Sequence, residues 1–155
     1  MEGHHHSHCI VAGVVTLGLT LSACGDNQDP MGADAFWDKI HEENYTSFAK
    51  APGYATAQPA QGPHGEEVNI YVNSIVEETL AGPSIDEWPI GSLIVKDALE
   101  GNKVTVVAAM EKRDDGWYWA EWSSDGKALY SGKPSVCTGC HGSGADFVRA
   151  FALPM

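Results

Sequence analysis

The sequence predicts an α+β fold: an antiparallel β-sheet of about five strands with an N-terminal helix, a short crossover helix and a third helix near the C-terminus. Three observations carry that expectation. One stretch, 34–50, repeats apolar residues at three-to-four spacing. A succession of alternating apolar and polar segments, punctuated by Asp-Gly pairs, fills the middle of the chain. The first 23 residues read as a leader and contribute nothing to the fold.

In that leader, "CIVAGVVTLGLTL" (Cys9 to Leu21) is uncharged, apolar and of signal-peptide length, and "LSAC" follows at once. The pattern resembles a bacterial lipoprotein signal, which makes Cys24 the lipidated residue and the mature N-terminus. The n-region "MEGHHHSH" departs from it by lacking Lys and Arg, so a single membrane anchor or a simply secreted chain are the alternatives. All three place the domain outside the cytoplasm; the lipoprotein reading puts it in the cell envelope, facing the periplasm and touching membrane only through its lipid. Residues 24–33, with the polar "GDNQDPMG" (Gly25 to Gly32), read as a linker, and 34–155 as one domain. The 155 residues, 43% apolar and 19% charged, suit one packed core. With 9 basic against 21 acidic residues the net charge is −12, which leaves no basic stripe for nucleic acid.

Within the domain, Phe36, Trp37, Ile40, Tyr45 and Phe48 predict one amphipathic helix from Asp34 to Lys50, closed by "APG". A Pro/Gly/Ala loop leads to "VNIYVN" (Val68 to Asn73), whose alternation predicts a strand. Ser74 and Glu77 form a capping-box pair that opens a short helix to about Ala81. The segments "GSLIVKDA", "NKVTVVAAMEKR", "GWYWAEW" and "GKALYSGK" predict four further strands, with turns at Asp115-Gly116 and Asp125-Gly126.

The chain then reaches "CTGCHGSG" (Cys137 to Gly144). A C-x-x-C pair serves a redox disulfide, half a zinc site or haem attachment. A thioredoxin-like pair belongs early in a βαβ sheet, and here little chain remains. Zinc needs further ligands at a matching spacing, and the domain offers no second cysteine pair. A structural disulfide gives no reason for His141 to come next. C-x-x-C-H supplies two thiols that add to haem vinyl groups and an imidazole that ligates the iron. One haem c, covalent through Cys137 and Cys140 with His141 on iron, is therefore expected on the C-terminal helix.

Small electron-carrying cytochromes usually place this motif near the start of a helical chain; here it follows a β-rich body. In segment order the chain resembles the cytochrome P-460 and cytochrome c′-beta family, carried by the Trp37 helix, "HGEEVNIYVN", "WPIGSLIVK", "MEKR", "GWYWAEWSSDG" and "CTGCHGSGAD". The resemblance implies a homodimer and a five-coordinate haem open to small nitrogen species. Its enzymatic branch oxidises hydroxylamine and bonds a lysine to the haem edge; its c′-beta branch binds nitric oxide or carbon monoxide under an apolar cap.

Lys96 matches the position of that cross-linking lysine, at the end of the expected strand "GSLIVK", with Ser92, Ile94 and Lys96 on one face and Leu93 and Val95 on the other. The alternative is a solvent-facing lysine or a non-covalent propionate partner. The family's distal carboxylate falls on Ala108, so the wall formed by Val106, Ala108 and Met110 reads apolar, and Glu111 is out of phase. Phe36 is a further distal-pocket candidate, with Trp37 and Phe48 as other possible caps. His64 is expected to be exposed in its Pro-Gly loop, with a distal ligand or base as the alternative, and the tryptophans at 117, 119 and 122 are expected to fill both faces of one strand. Three functions follow: nitric oxide binding at an open iron, hydroxylamine oxidation with a Lys96 cross-link and a soluble cytochrome as electron acceptor, or simple electron transfer with Met110 as sixth ligand. The acidic charge suits basic redox partners and equally a solvated surface.

Overall fold

The computed structural model describes residues 28–60 and 62–154. The expected leader and the lipidation site Cys24 lie outside the described residues.

Helix α1 (Pro30–Glu42) starts inside the stretch read as linker, because Asp29 caps it through a side chain that accepts from the Gly32 amide at 3.0 Å, and Pro30 supplies a pre-set first turn. It ends well short of Lys50. Asn44 takes a left-handed conformation (φ 52°), which stops the helix, and Tyr45–Ser47 continues as a 3₁₀ turn. Tyr45 and Phe48 still pack on the same cluster as Phe36 and Ile40, which is why their spacing imitated a longer helix.

Seven strands form one antiparallel sheet: β1 (Ala49–Lys50), β2 (Gln58–Pro59), β3 (Glu67–Val72), β4 (Leu93–Glu100), β5 (Lys103–Arg113), β6 (Gly116–Ser123) and β7 (Ala128–Gly132). The order is β1-β3-β4-β5-β6-β7, with β2 also on β3. The five expected strands are β3 to β7. The two additional ones span two residues each, too few to display alternation. Helix α2 (Ser74–Leu80) is capped one residue earlier than expected: the Asn73 side chain accepts from the Val76 and Leu93 amides and donates to the Gly91 carbonyl. It bridges neighbouring antiparallel strands β3 and β4 and is therefore not a crossover. Helix α3 (Ser135–His141) follows β7.

The sheet has two buried faces. On one, Leu93, Val95, Val107, Ala109, Tyr118 and Trp122 pack under α1 through Phe36 and Ile40. On the other, Ile70, Val72, Ile94, Met110, Trp117 and Trp119 pack against Trp88, Val148 and the C-terminal tail. Each large apolar side chain so buried contributes about 1.5–3 kcal/mol. Gly126 closes the β6–β7 turn at φ 83°, and a Cβ there would sit 3.1 Å from the Trp37 indole.

Candidate functional site

Helix α3 carries Cys137, half-buried, Cys140, exposed, and His141 in its last turn. The chain beyond it folds back in a tight turn joined by an Ala145–Val148 bridge. Asp146 (φ 45°) and Phe147 (φ 65°) occupy the left-handed region there, which non-glycine residues enter only when their surroundings hold them. The restraint is visible: the Asp146 carboxylate accepts from the Trp88 amide at 2.9 Å and from Lys112 Nζ at 2.9 and 3.0 Å.

This turn brings the Phe147 carbonyl to 2.9 Å from His141 Nδ1. A carbonyl only accepts, so Nδ1 carries the proton and Nε2 presents its lone pair. That is the arrangement by which a metal-ligating histidine is oriented. Burial pushes the His141 pKa down, with the Phe147 bond opposing and Lys96 reinforcing the shift, which favours the neutral, ligating imidazole.

Beside His141 lies a cleft of about 880 Å³, its open mouth included, lined among others by Tyr54, His64, Lys96, Cys140, His141 and Arg149. A smaller recess of about 400 Å³ adjoins it, with Ala108, Met110, Trp119, Glu121 and Cys137 in its walls. Sheet register explains the grouping. Ile70, Lys96, Ala108 and Glu121 are successive partners across β3 to β6, and Val72, Ile94, Met110 and Trp119 form the next row on the same face.

Lys96 is therefore on the cleft wall in mid-strand, not at a strand end facing solvent. Burial pushes its pKa down, and the Glu121 carboxylate partly opposes this. Ala108 and Met110 line the recess beside His141, whereas Val106, one row further along, is not among the walls. Glu111 points to the opposite face, bonded to Lys39 and Arg113.

Phe36 corrects the expectation: it is buried under α1 on the far face of the sheet, edge-on to Tyr118 and Trp122, and cannot cap a group held by α3. Trp37 and Phe48 pack on that same face. Periodicity identified the apolar stripe of α1 but not the side of the sheet it covers. Trp117 and Trp119 do face α3 while Trp122 faces α1.

His64 is also corrected. It is half-buried, its Nδ1 2.9 Å from Glu121 Oε2, and both line the recess. Glu121 and Arg149 escaped the sequence reading. An acid in phase with Trp117 and Trp119 on an otherwise aromatic face was the available signal for Glu121; Arg149 carried none.

A haem fits these residues. Cys140 lines the cleft, Cys137 the adjoining recess, and Nε2 of His141 is the unshared nitrogen beside both. A protein-only metal site fits less well, since the described residues contain no group of three or more His, Cys, Asp or Glu side chains able to hold an ion. A porphyrin brings four of its own donors and asks only one axial ligand of the chain. No family model matches the sequence, and no curated protein matches it.

Proposed function

We propose that the chain is a c-type haem protein of the cell envelope, periplasm-facing and lipid-anchored through Cys24, with an iron position open to small nitrogen species, nitric oxide foremost. The carrying observation is the C-x-x-C-H motif at the end of a helix beside a cleft, with the His141 ring held by the Phe147 carbonyl so that Nε2 is the ligating atom. Cys137 and Cys140 would form the thioethers and His141 the axial bond. The haem, when bound, supplies a redox-active iron that takes small diatomic ligands.

The chain's own residues define the surroundings. Ile94, Ala108 and Met110 give the recess an apolar wall. Strand β5 offers no acid on that side, because Glu111 is committed to Lys39 and Arg113 across the sheet. The apolar wall favours a ligand without protons to exchange, whereas the His64–Glu121 pair in the same recess is the feature that would serve a ligand with them.

A second reading, a hydroxylamine oxidoreductase of the P-460 type, is favoured by Lys96. Its amine is desolvated in the cleft, a condition that raises the neutral, nucleophilic fraction a covalent bond to a porphyrin edge requires. The homodimer and a soluble cytochrome partner rest on the family resemblance alone.

The test is the optical spectrum of the ferrous protein made in a host that attaches c-type haem. A high-spin spectrum at ordinary position is expected for the gas-binding protein. A strongly red-shifted main band that returns to ordinary position in Lys96→Leu establishes the cross-linked enzyme instead. Sharp low-spin bands would mean a sixth protein ligand such as Met110 and would refute both.

A further inference from the structure

We infer that Lys96 and Arg149 together form an anion-holding pair in the cleft, recognising a carboxylate or a small oxyanion; the inference rests on the haem reading only for the identity of one possible carboxylate. In a chain of net charge −12 the cleft is a local exception. Its ionisable lining comprises Lys96, Arg149, His64, His141, Cys140 and Tyr54, with Glu121 the carboxylate beside it in the adjoining recess. Glu121 is engaged by His64 at 2.9 Å, so the one acid near the pair already has a partner.

Neither cation has a carboxylate within salt-bridge distance among the described residues. The seven such pairs found involve other residues. Arg149 Nη1 instead donates to Cys140 Sγ at 2.8 Å. Sulfur is a weak acceptor, and a thioether at Cys140 would be no better. Two like charges lining one partly desolvated cleft disfavour each other: burial is the main cause that lowers the Lys96 pKa, Glu121 and Cys140 oppose it, and Arg149 adds a smaller push in the same direction as burial. An anion seated between them removes that cost, and the planar guanidinium is suited to grip two oxygens at once.

Two sources carry this chemistry: a propionate of the cofactor, or a free oxyanion such as nitrite entering the cleft. Arg149 is exposed, so Arg149→Gln should leave the fold intact. The protein with haem attached is titrated with nitrite in the ferric state and carbon monoxide in the ferrous state, and its midpoint potential is measured. If nitrite is held, its affinity falls about tenfold or more in Arg149→Gln, with carbon monoxide affinity unchanged. If a propionate is held, both affinities stay and the potential shifts with altered pH dependence.

No change in affinity or potential would overturn the inference and leave Arg149 as a neighbour of Cys140 only. Wild-type protein that acquires no haem would defeat the functional proposal separately. Nitrite calorimetry on that colourless chain, with and without Arg149, would then decide the pair: loss of heat in Arg149→Gln sustains it, and no heat in either protein ends it.

Discussion

Replacing Lys112 by Met should weaken the whole domain by about 1–3 kcal/mol, because Lys112 is the cation that holds the turn beyond the C-x-x-C-H motif. Its side chain is 10% exposed and that of Asp146 12%, with Nζ 2.9 Å from one carboxylate oxygen. Glu87 also lies 3.3 Å from Nζ but is 75% exposed and adds little. Met keeps the aliphatic stem that packs near Trp117 while removing the charge. Asp146 is then left with the Trp88 amide as its one remaining donor among the described contacts. Full burial would raise the cost to about 3–5 kcal/mol, and the residual exposure of both groups reduces it. With a urea slope of about 2 kcal/mol/M, the midpoint should fall by about 0.5–1.5 M at unchanged slope. Asp146→Asn is tolerated at the left-handed backbone position, so a double-mutant cycle is accessible. The double variant should recover part of the loss, with a coupling of about 0.5–3 kcal/mol. A midpoint shift below about 0.2 M, or strict additivity, would refute the role assigned to the pair.

Other outcomes follow from the same geometry. Although burial raises the Glu111 pKa, its hydrogen bonds to Lys39 and Arg113 outweigh this and hold it below the ordinary 4.5. A lowered folded-state pKa means stability present above 4.5 and lost as pH falls through the folded value, so Glu111→Gln should cost more stability at pH 7 than at pH 3. Denaturation midpoints at the two pH values check it; equal losses at both would contradict it. Phe36→Ala should cost about 3–5 kcal/mol while leaving the visible spectrum unchanged, because the ring is on the far face of the sheet. A spectral shift without a stability loss would return Phe36 to the ligand side.

What the sequence disclosed follows the range of the signals. Strand β3 announced itself through a two-residue period and β4 to β7 through apolar segments parted by turn residues, while alternation along β4 also put Lys96 on the face opposite Val95, as the sheet has it. Cys137, Cys140 and His141 were legible because their chemistry is encoded in five consecutive residues. The break in α1 depended on a single left-handed Asn44, hidden because Tyr45 and Phe48 keep helical spacing on a 3₁₀ turn. Which side of the sheet α1 covers is a tertiary fact with no local signature, and Phe36 was misplaced for that reason. The His64–Glu121 contact joins a loop to a strand far along the chain, and only cross-strand register reveals it.

The proposed function stands on a covalent haem at the two cysteines of α3. Intact mass spectrometry of the protein, made where c-type haem is attached and denatured in acid and organic solvent, tests it most directly. A mass increased by one haem over the polypeptide is expected, lost when Cys137 and Cys140 are both changed to Ser. A wild-type mass equal to the bare polypeptide, or its value less two hydrogens for a disulfide, would contradict it.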